Sequence, residues 1–103
     1  AALAAGAPVD VEVSGIAADA LGARRIGALA WEVAQRHPMS SLVLRDDDIV
    51  DAQRWLWQAL KLAVEPAAAL PLAALRSGAW QAQAGQRICL VLCGANVDPA
   101  SLL

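Results

Sequence analysis

Charge is scarce in this chain: charged residues make up 17% of it, and lysine occurs once, as Lys61. Eight basic and ten acidic side chains leave a formal charge of −2. No basic cluster forms, which argues against nucleic acid as a partner. No apolar run approaches the roughly 18 residues of a transmembrane helix, and no signal-peptide pattern opens the chain, so a membrane partner is not expected either. Cysteine is confined to Cys89 and Cys93. Within one strand these would share a face yet lie too far along it to bond easily. With no disulfide framework and no Cys/His spacing suited to a metal, the expected compartment is a reducing cytoplasm. Neither a Ser/His/Asp arrangement nor a phosphate-cradling glycine loop can be assembled. Asp46-Asp47-Asp48 lacks the glycine and later glutamate of a calcium loop and reads as a solvated helix start. Methionine appears only at Met39, and the chain opens Ala-Ala-Leu-Ala-Ala. Such an opening is expected of a segment of a longer protein.

Apolar residues are plentiful instead. They reach 58%, with a mean hydropathy of +0.47, against about 45–50% in an ordinary soluble domain. A chain of 103 residues has room for one small domain, which buries only part of its unfolded surface. The excess implies that protein outside these residues covers part of the apolar surface.

Residues 1–5 read as the tail of a helix stopped by Gly6 and Pro8. Residues 9–13 alternate apolar and acidic side chains, as in a short strand or extended segment. Residues 26–36 have helical spacing, with Ile26, Leu29, Ala30, Val33 and Ala34 on one face, and His37-Pro38 ends the helix. Residues 42–44 suit a buried strand. The three aspartates then supply a helix start, with an N-cap and acids at the positive end of the dipole. That helix is expected to run to about Val64, with Ile49, Ala52, Leu56, Ala59, Leu60 and Ala63 on its core face. Pro66 disfavours helical geometry at Glu65 and fits the first position of a new helix, 67–76, which Gly78 closes. Pro71 inside that helix removes a backbone bond and should bend it. Residues 88–92 form a continuous apolar strand candidate leading into Cys93-Gly94-Ala95-Asn96. Apolar strands separated by helices indicate an α/β class with a mostly parallel sheet covered on both faces, incomplete on its own. No internal boundary divides residues 1–103.

Ligands of open parallel sheets gather beyond the carboxyl ends of strands, where Cys93, Gly94 and Asn96 would lie. Gly94 lets backbone approach a ligand closely, while Cys93 and Asn96 offer polar contacts. The same residues also suit a buried cysteine ending a core strand, followed by a Gly-Ala-Asn turn. Glu65 is either an apolar-flanked carboxylate adjustable by burial or a helix N-cap. His37 suits a C-terminal cap better than a catalyst. Arg24-Arg25 has the chemistry to hold an anion but also reads as ordinary surface. Trp31, Trp55, Trp57 and Trp80 look like packing or interface anchors.

Three stretches resemble the end of the serine/threonine dehydratases, in the tryptophan-synthase-β-like group of pyridoxal-phosphate enzymes. They are Gly15-Ile-Ala-Ala-Asp19 with Leu21-Gly22; Asp48-Ile49 through Val64-Glu65-Pro66 and the alanine-rich helix to Leu75; and residues 88–92 leading into Cys93-Gly-Ala-Asn-Val-Asp98. The similarity spans nearly the whole chain in the family's order. The last motif is the most specific, because the family ends a core strand with Ser or Cys, then Gly, Gly or Ala, and Asn.

The resemblance implies the C-terminal portion of a large cofactor-binding domain, with Cys93 hydrogen-bonded to the pyridine nitrogen of pyridoxal phosphate. A thiol is a weak acid and a weak hydrogen-bond partner, so it would not hold that nitrogen protonated as a carboxylate would. Glu65 matches the family's active-site glutamate before proline, and Gly94 and Asn96 complete the expected cofactor-binding set. The implied reaction converts L-serine or L-threonine to a 2-oxo acid and ammonia. Ala68 stands where the family often has glycine, and Pro71 interrupts the helix, so substrate preference is not carried over. The family's cation-binding acids would lie upstream of Ala1. Lys61 matches no catalytic motif and complements a helix C-terminus. The cofactor-binding lysine and the phosphate loop are therefore expected in a preceding N-terminal part of the same enzyme, and no catalytic residue is assigned in this chain. The complete protein is expected to act on a small amino acid and to be a homo-oligomer. A racemase of the same family and a catalytically inactive binding or assembly module are the alternatives.

Overall fold

The computed structural model describes residues 1–103, which fall into two compact units, Ala1–Ser41 and Leu42–Leu103. Each is built from helices joined by irregular segments.

In the first unit, α1 (Ala2–Ala5) ends at Gly6, whose φ of 71° is the left-handed geometry glycine adopts without a Cβ penalty. Within residues 9–13 the Val11 N–H donates to the Arg24 carbonyl at 2.8 Å. Arg25 pairs with Asp10 at 2.7 Å, both side chains well exposed. Arg25 is thus a surface arginine with a local partner. A Cβ at Gly22 would lie 2.6 Å from the Ala18 carbonyl oxygen, so that turn admits no side chain without a backbone shift. α2 (Ala28–Arg36) starts after Gly27, which is extended and serves as the N-cap. His37 ends it as a C-cap, in extended geometry that suits a residue before proline, with its N–H donating to the Val33 carbonyl. The apolar face expected of this helix is open within the unit, since α2 buries no residue and Leu29 is 81% exposed.

The second unit is organised by α3 (Asp46–Leu60) and α4 (Pro66–Arg76). Ile49, Ala52, Leu56, Val64, Ala68, Ala69 and Ala73 form its core, with Leu44, Leu70, Leu72 and Leu92 packed against it. Four of the seven are alanines with no exposed surface, which lets the two helix backbones approach closely. Pro66 opens α4, and the helix continues through Pro71 to Arg76. Gly78 follows with a φ of 77°. Arg76 pairs with Asp51 at 2.7 Å and lies 5.5 Å from the centre of the Trp55 ring, tying α4 to α3. A short 3₁₀ helix (Pro99–Leu102), capped by the Asp98 side chain, buries Leu102.

Two features of α3 differ from expectation. It ends at Leu60, because Lys61 turns into the left-handed region at φ 58°. The Lys61 and Leu62 N–H groups then satisfy the Trp57 and Leu56 carbonyls, and Val64 drops into the core ahead of Pro66. Ala59 and Leu60 consequently face solvent rather than the core. At the other end the N-cap is Arg45, not an aspartate, and all three aspartates lie inside the first turn. There they complement the helix dipole. Arg45 donates two hydrogen bonds to Asp48, at 3.0 and 2.9 Å.

That hydrogen-bonded guanidinium holds the Asp48 carboxyl below the ordinary aspartate range. A depressed folded-state pKa contributes stability that is complete above the unfolded pKa and disappears as pH falls through the folded one. Stabilisation by Asp48 is therefore expected to be present at neutral pH and lost only in acid. Carboxyl NMR titration should show Asp48 protonating at lower pH in the wild type than in Arg45→Ala.

The three segments read as strands, 9–13, 42–44 and 88–92, form no ladder, so residues 1–103 contain no sheet of their own. A parallel strand is made by its neighbours. No helix is long and apolar enough to cross a membrane.

Candidate functional site

The chain between α3 and α4 meets the loop after residues 88–92 at one place. The Glu65 N–H donates to the Gly94 carbonyl at 3.1 Å. Above that contact the Glu65 carboxylate lies over the Gly94 Cα. A Cβ on residue 94 would sit 2.9 Å from Oε2 and closer still to Oε1. A side chain at 94 would therefore push the flexible end of Glu65 aside, whereas glycine admits it as it stands. Glu65 occupies the N-cap position of α4, yet its side chain makes no capping bond. Half-buried beside Gly94, the carboxylate keeps its acceptor capacity for another partner.

Cys93 and Asn96 flank this contact and are both exposed. Cys93 is thus no core thiol within its unit. The Val97 N–H donates to the Ala95 carbonyl at 2.9 Å, folding the loop tightly at Asn96. The four residues singled out in the sequence, Glu65, Cys93, Gly94 and Asn96, accordingly collect around one backbone contact. The other candidates stand elsewhere. His37 caps α2, Asp48 is engaged by Arg45, and Lys61 donates from Nζ to the Gln58 carbonyl at 2.7 Å, satisfying the end of α3. No group of three or more His, Cys, Asp or Glu side chains could hold a metal ion.

Gln53 escaped the sequence reading. It is the one buried polar residue of the chain, and its Nε2 donates to the Val64 carbonyl at 2.8 Å. The signal was its register: four residues after Ile49 and three before Leu56, it lies on the apolar face of α3.

The Glu65 carboxylate thus lies against Gly94, with Cys93 and Asn96 on the same loop, beside the α3–α4 pair on which Leu44 and Leu92 pack. Residues 1–94 match the model of the pyridoxal-phosphate dependent enzymes, and the chain belongs to that family. Its backbone superposes on the crystal structure of T.th. threonine deaminase with a TM-score of 0.76 at 27% identity, covering 94% of this chain and 34% of that one. Phenylserine dehydratase of Ralstonia pickettii is 36% identical over 96 residues, 93% of this chain and 29% of the relative. Serine racemase of Arabidopsis thaliana is 33% identical over 102 residues, 95% and 30% respectively. The chain therefore spans less than a third of the length of these two curated relatives.

Proposed function

We propose that residues 1–103 form the C-terminal segment of the large domain of a pyridoxal-phosphate lyase. Its expected reaction converts L-serine or L-threonine to a 2-oxo acid and ammonia by β-elimination. The observation that carries this reading is the seating of the Glu65 carboxylate on Gly94 between Cys93 and Asn96. The donor set suits the cofactor: an exposed thiol, an exposed amide and a carboxylate with no capping duty, on a loop whose backbone is open at glycine.

Bound pyridoxal phosphate would supply the electron-withdrawing ring that labilises the substrate α-proton. The Cys93 thiol would hydrogen-bond the ring nitrogen without keeping it protonated. The Asn96 amide and Gly94 backbone would border the ring, and Glu65 would accept a hydrogen bond at its edge. In the same reading residues 42–44 and 88–92 complete their ladders as strands of a mostly parallel sheet with the N-terminal part of the protein, which also supplies the cofactor-binding lysine. The complete protein is read as a homo-oligomer. Two free, exposed thiols fit a reducing cytoplasm.

Borohydride reduction of the intact protein with pyridoxal phosphate should fix the cofactor to a lysine other than Lys61, located by peptide mapping. An adduct on Lys61, or none on any lysine, would sink the reading. Cys93→Ala should weaken cofactor binding about 10-fold, the loss of one modest hydrogen bond, with little change in thermal stability because the thiol is exposed. A change in folding alone would return Cys93 to a structural role. Racemisation is the second reading, favoured by the similarity to serine racemase. Chiral analysis of L-serine incubated with the protein, beside ammonia release, separates the two.

A further inference from the structure

One peptide group, Val64–Glu65, is held from both sides. Its carbonyl accepts from the buried Gln53 side chain at 2.8 Å, and its N–H donates to the Gly94 carbonyl at 3.1 Å. No backbone N–H serves the Val64 carbonyl, which lies between the end of α3 and the start of α4. Pro66 leaves Glu65 extended, at φ −69° and ψ 160°, so the helix cannot reach back to take that carbonyl. Burying an amide side chain is unfavourable unless it is hydrogen-bonded, and Gln53 at 7% exposure spends its donor here. An apolar residue would serve packing at this register of α3. A glutamine instead fixes the plane from which the Glu65 side chain departs.

We infer that Gln53 is a positioning residue for Glu65: through the Val64 carbonyl it orients the peptide that sets the Glu65 carboxylate on Gly94. Only the catalytic consequence rests on the function proposed above, while the positioning itself is a property of the fold. Rotation of the Val64–Glu65 peptide would loosen its hydrogen bond to Gly94 and swing the carboxylate away from the loop carrying Cys93 and Asn96.

Site-resolved amide hydrogen exchange on the intact protein without cofactor tests the positioning directly. Gln53→Met keeps the length and removes the donor. It should speed exchange at the Glu65 amide by about 10-fold while leaving the Leu56 and Ala69 amides within about twofold, the signature of a local opening. Gln53→Glu is the rescue: burial pushes its carboxyl toward the protonated form, which can donate to the same carbonyl. It should retain most of the protection at Glu65. Equal acceleration at Glu65, Leu56 and Ala69 in Gln53→Met would overturn the inference, since that is the mark of global destabilisation. So would unchanged exchange at Glu65, or failure of Gln53→Glu to protect better than Gln53→Met. In cofactor-loaded protein, the effect of Gln53→Met on cofactor affinity should vanish in a Glu65→Gln background, and additive effects would overturn the coupling. A protein that binds no pyridoxal phosphate would refute the proposed function and leave the exchange result standing.

Discussion

Gly94→Ala is expected to weaken pyridoxal phosphate binding by the intact protein about 5- to 150-fold, corresponding to the roughly 1–3 kcal/mol of forced overpacking. The added methyl would overlap the Glu65 carboxylate, so the side chain or the loop must move. Two relaxations are open, and both damage the site. Either Glu65 rotates away and its carboxylate leaves the loop, or the loop shifts and carries Cys93 and Asn96 with it. The second also strains the hydrogen bond from the Glu65 N–H to the Gly94 carbonyl. Thermal unfolding should change less than affinity, since Gly94 lies outside the apolar core. Spectroscopic titration with the cofactor, run beside a melting curve, makes the measurement. Wild-type affinity in a folded Gly94→Ala protein would mean that the Glu65–Gly94 contact is not part of a cofactor site.

Leu56→Ala is expected to destabilise the intact protein by about 2–5 kcal/mol, as for other buried leucines cut back to alanine. Leu56 is 3% exposed and stands among Ala52, Ala68, Ala69 and Ala73. The alanines carry single methyl groups that cannot swing into the void, so refilling is left to Ile49, Val64 and the leucines packed on the cluster, and part of the cavity should persist. Chemical denaturation gives the difference in midpoint and slope. A loss below about 1 kcal/mol would place Leu56 outside the packed interface of α3 and α4.

Much of the helix punctuation was legible along the chain because its causes are local. Gly6 stops α1 through a positive φ, His37-Pro38 stops α2, and Pro66 forces Glu65 out of helical geometry while opening α4. Each effect acts within a residue or two. The end of α3 was not legible. Lys61 is no habitual left-handed residue, and it turns there because the chain must bring Val64 into the core before Pro66. Strand pairing was not legible for a related reason. Apolar runs at 42–44 and 88–92 report a segment ready to pair, but pairing belongs to the neighbour that supplies the ladder.

The candidate site divides along the same line. Cys93, Gly94, Asn96 and Glu65 could be nominated from the chain, because a thiol or carboxylate among apolar residues and a glycine in a loop are chemical facts of sequence. Their association could not be read there. It depends on α4 starting beside the loop at 93–96, which brings a carboxylate onto a glycine distant in the chain. Gln53 shows the limit most plainly. Its polar side chain on an apolar helix face is visible in the sequence, but its partner is a backbone carbonyl, and carbonyls are the same at every residue. Only the packing of α3 against the approach to α4 selects Val64, because burial leaves that carbonyl no other donor and makes the hydrogen bond from Gln53 the one that satisfies both groups.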